Sequence, residues 1–206
     1  MRRSAALALF TLLAASQASA QTAPRSPPLR AAPPVVRELG CSDMVYSVVA
    51  SPDGQTISVL FDNYVIAGSA APDGMLRKTC ALEIPLHLPE GVSSGVYRTD
   101  YRGFANLLPG QVAQLKVDYG VGRSDRSRRY HNSLRGAFDG DFAFTETISR
   151  GQMKRAGCGE AAVLGLNITL ELQAVSGPQS MVALDTVDGA ARGGVVFRLD
   201  RQICRP

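Results

Sequence analysis

The sequence has no tryptophan and only two histidines, His87 and His131. So few imidazoles leave a Ser-His nucleophile pair or a histidine-rich metal centre almost without donors. A His-Glu-x-x-His pair and a phosphate-cradling glycine-rich loop are also missing. The common metalloprotease and nucleotide-binding signatures are therefore absent. None of the four cysteines, Cys41, Cys80, Cys158 and Cys204, stands in a Cys-x-x-Cys pair, which removes the usual spacings of a zinc ribbon or a redox-active dithiol. Beyond Ala20 no apolar run approaches the roughly 20 residues that a membrane-spanning helix needs. No stretch there repeats apolar residues at the spacing of an amphipathic helix.

What is present begins with an address. Arg2-Arg3 precede an apolar run from Ala5 to Ala15, and Ala18-Ser19-Ala20 closes it. That order is a secretory signal peptide over residues 1–20, so the expected location is secreted or periplasmic. Residues 21–37 hold Pro24, Pro27, Pro28, Pro33 and Pro34 with little to bury, and are expected to form an extended, solvated linker. Residues 38–206 remain as one domain of a size that supports a core. The chain carries 22 Lys and Arg against 18 Asp and Glu, yet Arg2, Arg3, Arg25, Arg30 and Arg37 all precede that domain. The domain is close to neutral, and nothing in its charge points to nucleic acid. An even number of cysteines in an exported chain reads as a disulfide framework.

Short alternating runs fill the domain. Ser51-Pro52-Asp53-Gly54 has proline and glycine where a turn with a left-handed last residue requires them, and it joins two strands within Met44 to Ile66. Ile57, Val59 and Phe61 then share one face. Further strands carry Cys80 to Leu88, about Gly95 to Phe104, Leu115 to Val121, Phe138 to Ile148 and Leu164 to Leu172. A last pair carries Met181 to Thr186 and Val195 to Ile203. Asn63 to Lys78 and Gly122 to Arg135 read as loops. Pro85 cannot donate to a ladder, which places its strand at a sheet edge or a bulge. About nine strands with one apolar face each are what an all-β, antiparallel two-sheet sandwich requires, with a β-barrel as the alternative.

The ordered set Ser51-Pro52-Asp53-Gly54, Leu60-Phe61-Asp62-Asn63-Tyr64 with Gly68, Arg77-Lys78-Thr79-Cys80, Asp100-Tyr101-Arg102-Gly103, Cys158-Gly159, Asp188-Gly189 and Cys204 resembles the secreted proteins grouped as domain of unknown function 4360. The resemblance covers the whole domain. It implies export, a β-rich fold and disulfides, and it brings no activity or substrate.

Candidate functional residues are sparse. Tyr97 and Tyr101 share a parity and offer stacking area for sugars, with Arg98, Asp100 and Arg102 as an ion-pair ladder on the opposite face. Arg126, Arg128 and Arg129, with Arg123 and Arg135 in the same loop and Arg150, Lys154 and Arg155 later, concentrate positive charge suited to an acidic polysaccharide or a lipid headgroup. Asp100 and Glu146 are the carboxylates a hydrolase would use, and His131 is the one histidine in a loop. Glu146 shares the parity of Phe144 and Ile148, so it faces a partner such as Arg102 or marks the end of the core. Asp139-Gly140-Asp141, Asp185 with Asp188, Asp53 and Asp73 are turn residues rather than a calcium cage. No catalytic, cofactor-binding or metal-binding residues are assigned. The favoured function is non-catalytic binding of an extracellular carbohydrate or an anionic surface.

Strand parity suggests the disulfide pairing. If Cys80 opens a strand and three more pass before Cys158, these two lie at one end of the sandwich. Three further strands would put Cys204 at the other end, with Cys41 as its partner. The expected pairs are thus Cys80–Cys158 and Cys41–Cys204.

Overall fold

Alternation at a period of two governs nearly every element, because each strand presents one face to an opposing sheet and the other to solvent. A computed structural model of the chain describes residues 30–31, 35–37, 41, 45–68, 74–122, 127–160, 162–173, 180–184 and 193–204. The signal segment, and Arg123, Arg126, Asp73, Asp185 and Asp188, lie outside the described residues.

In chain order the strands are β1 (Arg30–Ala31), β2 (Val35–Arg37), β3 (Tyr46–Ala50), β4 (Thr56–Phe61), β5 (Val65–Gly68), β6 (Met75–His87) and β7 (Val92–Leu107). They continue as β8 (Val112–Val121), β9 (Arg128–Arg135), β10 (Phe138–Thr147), β11 (Ala156–Gly157), β12 (Ala162–Gln173), β13 (Ser180–Ala183) and β14 (Gly194–Ile203). One sheet runs β6-β12-β8-β9, with β1 and β2 along the outer edge of β6. The other runs β3-β4-β14-β7, with β10 and β11 on the far edge of β7 and β13-β5 extending the rows of β14 and β4. All pairings are antiparallel, and the strands form two separate sheets rather than a closed barrel.

The inner faces follow from sequence. Leu164, Leu166, Ile168, Leu170 and Leu172 of β12 are wholly buried, and they join one core with Ile57 and Val59 of β4, Tyr101 of β7, and Val195 and Phe197 of β14. Each such side chain contributes about 1.5–3 kcal/mol of burial. The hairpin turn forms as its residues require: Gly54 has φ 62° and its N–H donates to the Ser51 carbonyl at 2.7 Å, while Asp53 Oδ1 accepts the Gln55 N–H at 3.0 Å. Between the sheets, the Tyr64 hydroxyl lies 2.9 Å from the carbonyl oxygens of both Lys78 and Ile168, so a residue from the β4–β5 connection engages β6 and β12 together.

Several segments differ from the sequence reading. Arg128–Arg135 is a strand, not a loop; its inward positions are Arg128, Tyr130, Asn132 and Leu134, too polar to register as an apolar face. Asn63 to Lys78 is likewise not all loop, because it contains β5 and the start of β6. The last two strands do not pair with each other: β13 bonds β5 and β7, and β14 bonds β4 and β7. Arg30–Ala31 and Val35–Arg37, expected in a solvated linker, instead pair with β6. Their pairing skips Ile84 and Pro85, where proline has no N–H to give.

The extra strand also overturns the expected disulfides. The bonded pairs are Cys41–Cys80 and Cys158–Cys204, with Cα separations of 4.6 and 5.8 Å. Cys80 sits within β6 rather than opening it, and β9 reverses the end at which Cys158 falls. Cys158 and Cys204 then meet where β7 begins, their N–H groups donating to the carbonyls of Val92 and Gly91.

Deleting residues 21–37 would strip β1 and β2 from the outer edge of β6. The expected cost is about 1–2 kcal/mol from the lost ladder bonds, or roughly 2–8 °C in melting temperature, with increased self-association through the bared edge. Thermal denaturation and sedimentation of the deletion variant check both; an unchanged melting temperature would mean the two short strands contribute nothing.

Candidate functional site

The end of the sandwich where β7 starts collects the β3–β4 turn, the end of β8, the start of β9, the Cys158–Cys204 bond and the segment 148–155. That segment is pinned at both ends to one edge of β7. The Ile148 N–H donates to the Tyr97 carbonyl at 2.8 Å, and Ala156 and Gly157 pair with Ser94 and Ser93. Gly95 lets it lie close, since a Cβ there would come within 2.7 Å of the Lys154 carbonyl oxygen and 2.8 Å of Met153 Cγ. Two hollows flank the segment. A cleft of about 260 Å³ opens toward the gap between the sheets, lined by Val96, Tyr119, Val121, Arg128 and Lys154 among others. A shallower groove of about 390 Å³ is lined by Gln55, Tyr97, Arg150, Asp200 and Arg201. Ile148 and Met153 border both.

Tyr97 owes its place to a bulge. β7 and β14 pair Arg98 with Arg198 and then Val96 with Leu199, so Tyr97 is an extra residue with no counterpart. Val96, Thr99 and Tyr101 all remain inward, and Tyr97 is left 38% exposed. The shared parity of Tyr97 and Tyr101 is thereby broken. Tyr101 is wholly buried, its ring stacked on Tyr130 at 4.4 Å between centroids, and it belongs to no surface.

Beneath the cleft the interior is polar. Glu146 projects inward from β10 and accepts from Arg128 Nε at 2.6 Å and from the Tyr119 hydroxyl at 2.9 Å. Its partner is Arg128 rather than Arg102. Burial drives the pKa values of Tyr101 and Tyr119 well above that of a free phenol. Among the described residues, the Tyr101 hydroxyl and Thr99 Oγ1 are buried without a hydrogen-bond partner.

The remaining candidates separate. Asp100 points outward, where Arg98 Nε donates at 2.9 Å, Thr145 Oγ1 at 2.7 Å and Arg198 Nε at 3.3 Å. Burial raises the Asp100 pKa, but these hydrogen bonds outweigh it and hold the carboxyl below its ordinary value. In the β7–β10 register Asp100 faces Thr145 and Glu146 faces Thr99, so the two carboxylates lie on opposite faces of one sheet and cannot flank a common bond. His131 is on β9, opposite Lys116 on the outer face. The basic cluster divides: Arg128 turns inward, Arg129 is 87% exposed on the outer face 3.9 Å from Asp118, and Arg126 is outside the described residues. Arg128 and Lys154 both line the cleft, while Arg150 lines the groove. Arg155 is paired with Asp200. Gln55, Met153, Asp200 and Arg201 were not among the sequence candidates, since nothing local marks residues that only the tertiary fold brings together.

The profile described as Domain of unknown function (DUF4360) matches residues 39–204. An "Uncharacterized secreted protein" of Arthroderma benhamiae is 29% identical over 151 residues, 72% of this chain. The matched part spans 62% of that relative's length. The solved structure of TmCBM61 in complex with beta-1,4-galactotriose aligns over 78% of this chain and 90% of its own, at 12% identity and a TM-score of 0.28. A likeness that loose guides neither fold nor ligand.

Two substitutions probe these polar clusters. Because Asp100 has a lowered folded pKa, its charge contributes stability above the unfolded value of about 3.9 and loses it as pH falls through the folded one. Asp100→Asn is therefore expected to destabilise near neutral pH, with the gap to wild type closing below about pH 4. Urea unfolding across that range reads the gap, and a constant difference would exclude an electrostatic origin. Tyr101→Phe removes a buried hydroxyl without a partner, so stability should hold or rise by up to about 1 kcal/mol. A loss of that size would reveal a bound water or an alternative partner.

Proposed function

This chain belongs to the family described as Domain of unknown function (DUF4360), and from that premise we propose that it is an exported, non-catalytic protein that binds extracellular carbohydrate in the groove at Tyr97. Export is supported by the secreted relative, by the signal-like residues 1–20 and by two disulfides, which persist in oxidising compartments.

The observation that carries the ligand reading is the bulge that delivers an exposed tyrosine ring into a polar groove. A sugar presents an apolar ring face and a rim of hydroxyls. Tyr97 and Met153 offer apolar area to the first, and Gln55, Asp200 and Arg150 offer donors and acceptors to the second. On the outer face of the β6-β12-β8-β9 sheet the described polar side chains are taken by one another: Glu171 by Arg77 and Lys116, and Thr79 by Thr169.

A glycan array probed with the purified protein would identify the ligand, and calorimetry would measure it against the Tyr97→Ala variant. The expected result is selective retention of a glycan and a loss of tenfold or more in affinity, about 1.4 kcal/mol, in the variant. Retention of no glycan, or binding indifferent to the substitution, would refute the proposal.

A further inference from the structure

We propose that the Cys158–Cys204 bond is a thiol-exchange site, opened in the native fold by an external dithiol, while Cys41–Cys80 is a fixed structural link. This goes beyond the carbohydrate reading and does not depend on it. The two disulfides differ first in exposure. Cys41 and Cys80 are 3% and 0% exposed, with Cys80 inside β6 opposite Ile168 of β12. Cys158 is exposed and Cys204 half-buried. Exchange begins when a thiolate reaches one sulfur of the bond, so an accessible disulfide reacts from the folded state and a buried one only after local opening.

The backbone points the same way. Cys158, with φ 59°, is the one non-glycine residue with a positive φ among the described residues, and it stands between Gly157 at 124° and Gly159 at 94°. Side chains rarely occupy that left-handed region, so the bond holds its cysteine in a conformation it would otherwise leave. The link it makes crosses the start of β7. Gly157 pairs with Ser93 on one edge of that strand and Ile203 with Val92 on the other. Once the bond is open, β14 keeps its ladder along β7, whereas β11 has only the pairs Ala156 with Ser94 and Gly157 with Ser93. The segment 148–155, which borders both hollows, ends at that short ladder.

The exposed sulfur of Cys158 is the one attacked. A thiolate of the dithiol bonds to Cys158 Sγ, and Cys204 Sγ departs with the electron pair of the broken bond and takes up a proton. The second thiolate of the dithiol then attacks its own sulfur in the mixed disulfide, leaving as a closed disulfide and releasing Cys158 as the thiolate. Two electrons pass from the dithiol to the protein, and the reverse sequence restores the bond.

The test treats the whole, folded protein with dithiothreitol, quenches it at intervals with iodoacetamide and maps the alkylated peptides. Cys158 and Cys204 are expected to be modified about tenfold or more faster than Cys41 and Cys80. Equal rates, or earlier loss of the Cys41–Cys80 bond, would overturn the proposal. With glutathione, a monothiol, and an acid quench, the mixed disulfide is expected on Cys158; an adduct on Cys204 instead would overturn the choice of attacked sulfur. Trypsin reads the consequence for the segment. Cleavage after Arg150, Lys154 or Arg155 should rise about fivefold or more on reduction, and should be equally fast without reductant in Cys158→Ser/Cys204→Ser. Cleavage unchanged in both would refute the loosening of that segment.

Discussion

The length of β7 is the constraint on which the rest depends. At 16 residues it outruns every partner, so it is completed by β14 and β13 on one edge and by β10 and β11 on the other. A twisted strand of that length does not hold one inward parity throughout, and the bulge at Tyr97 resets it. Without that reset, either Val96 or the series Thr99, Tyr101 and Gly103 would turn to solvent. One extra residue therefore keeps the core continuous and places an aromatic ring outside it.

The two sides of the sandwich differ in what they bury. Along β6 and β12 the inner layer is largely aliphatic. Toward β9 and β10 it becomes Arg128–Glu146, Tyr119, Tyr130 and Asn132, linked by hydrogen bonds and ring stacking. A partly polar interior packs less readily to closure, and it is on this side that the cleft opens. The cleft and the weakest apolar pattern in the chain thus share one cause.

That gradient also decides what could be read from sequence. β4, β8 and β12 were legible because Ile57, Val59, Leu115, Val117 and the leucines of β12 alternate without interruption, and the Ser51–Gly54 turn carries its own chemistry. β9 was illegible because its inward residues are half polar, and the disulfide parity failed with it. β5 is too short, at Val65–Gly68, to stand out from its loop. The site was harder still. Tyr97 was singled out, yet with Tyr101 beside it, since period two cannot reveal a bulge; Asp200 and Arg201 reach the groove only through pairing at the far end of the chain.

The disulfide order carries a consequence for how the chain matures. Cys41 joins Cys80 and Cys158 joins Cys204, so the two covalent loops follow one another and do not interleave. If the chain is exported N-terminus first, as proposed above, Cys41 and Cys80 emerge before either later cysteine. Pairing in order of emergence is then already native, and the reshuffling that interlocked bonds demand is not required. In that order the Cys158–Cys204 bond would close last, and with it the pole that bears both hollows.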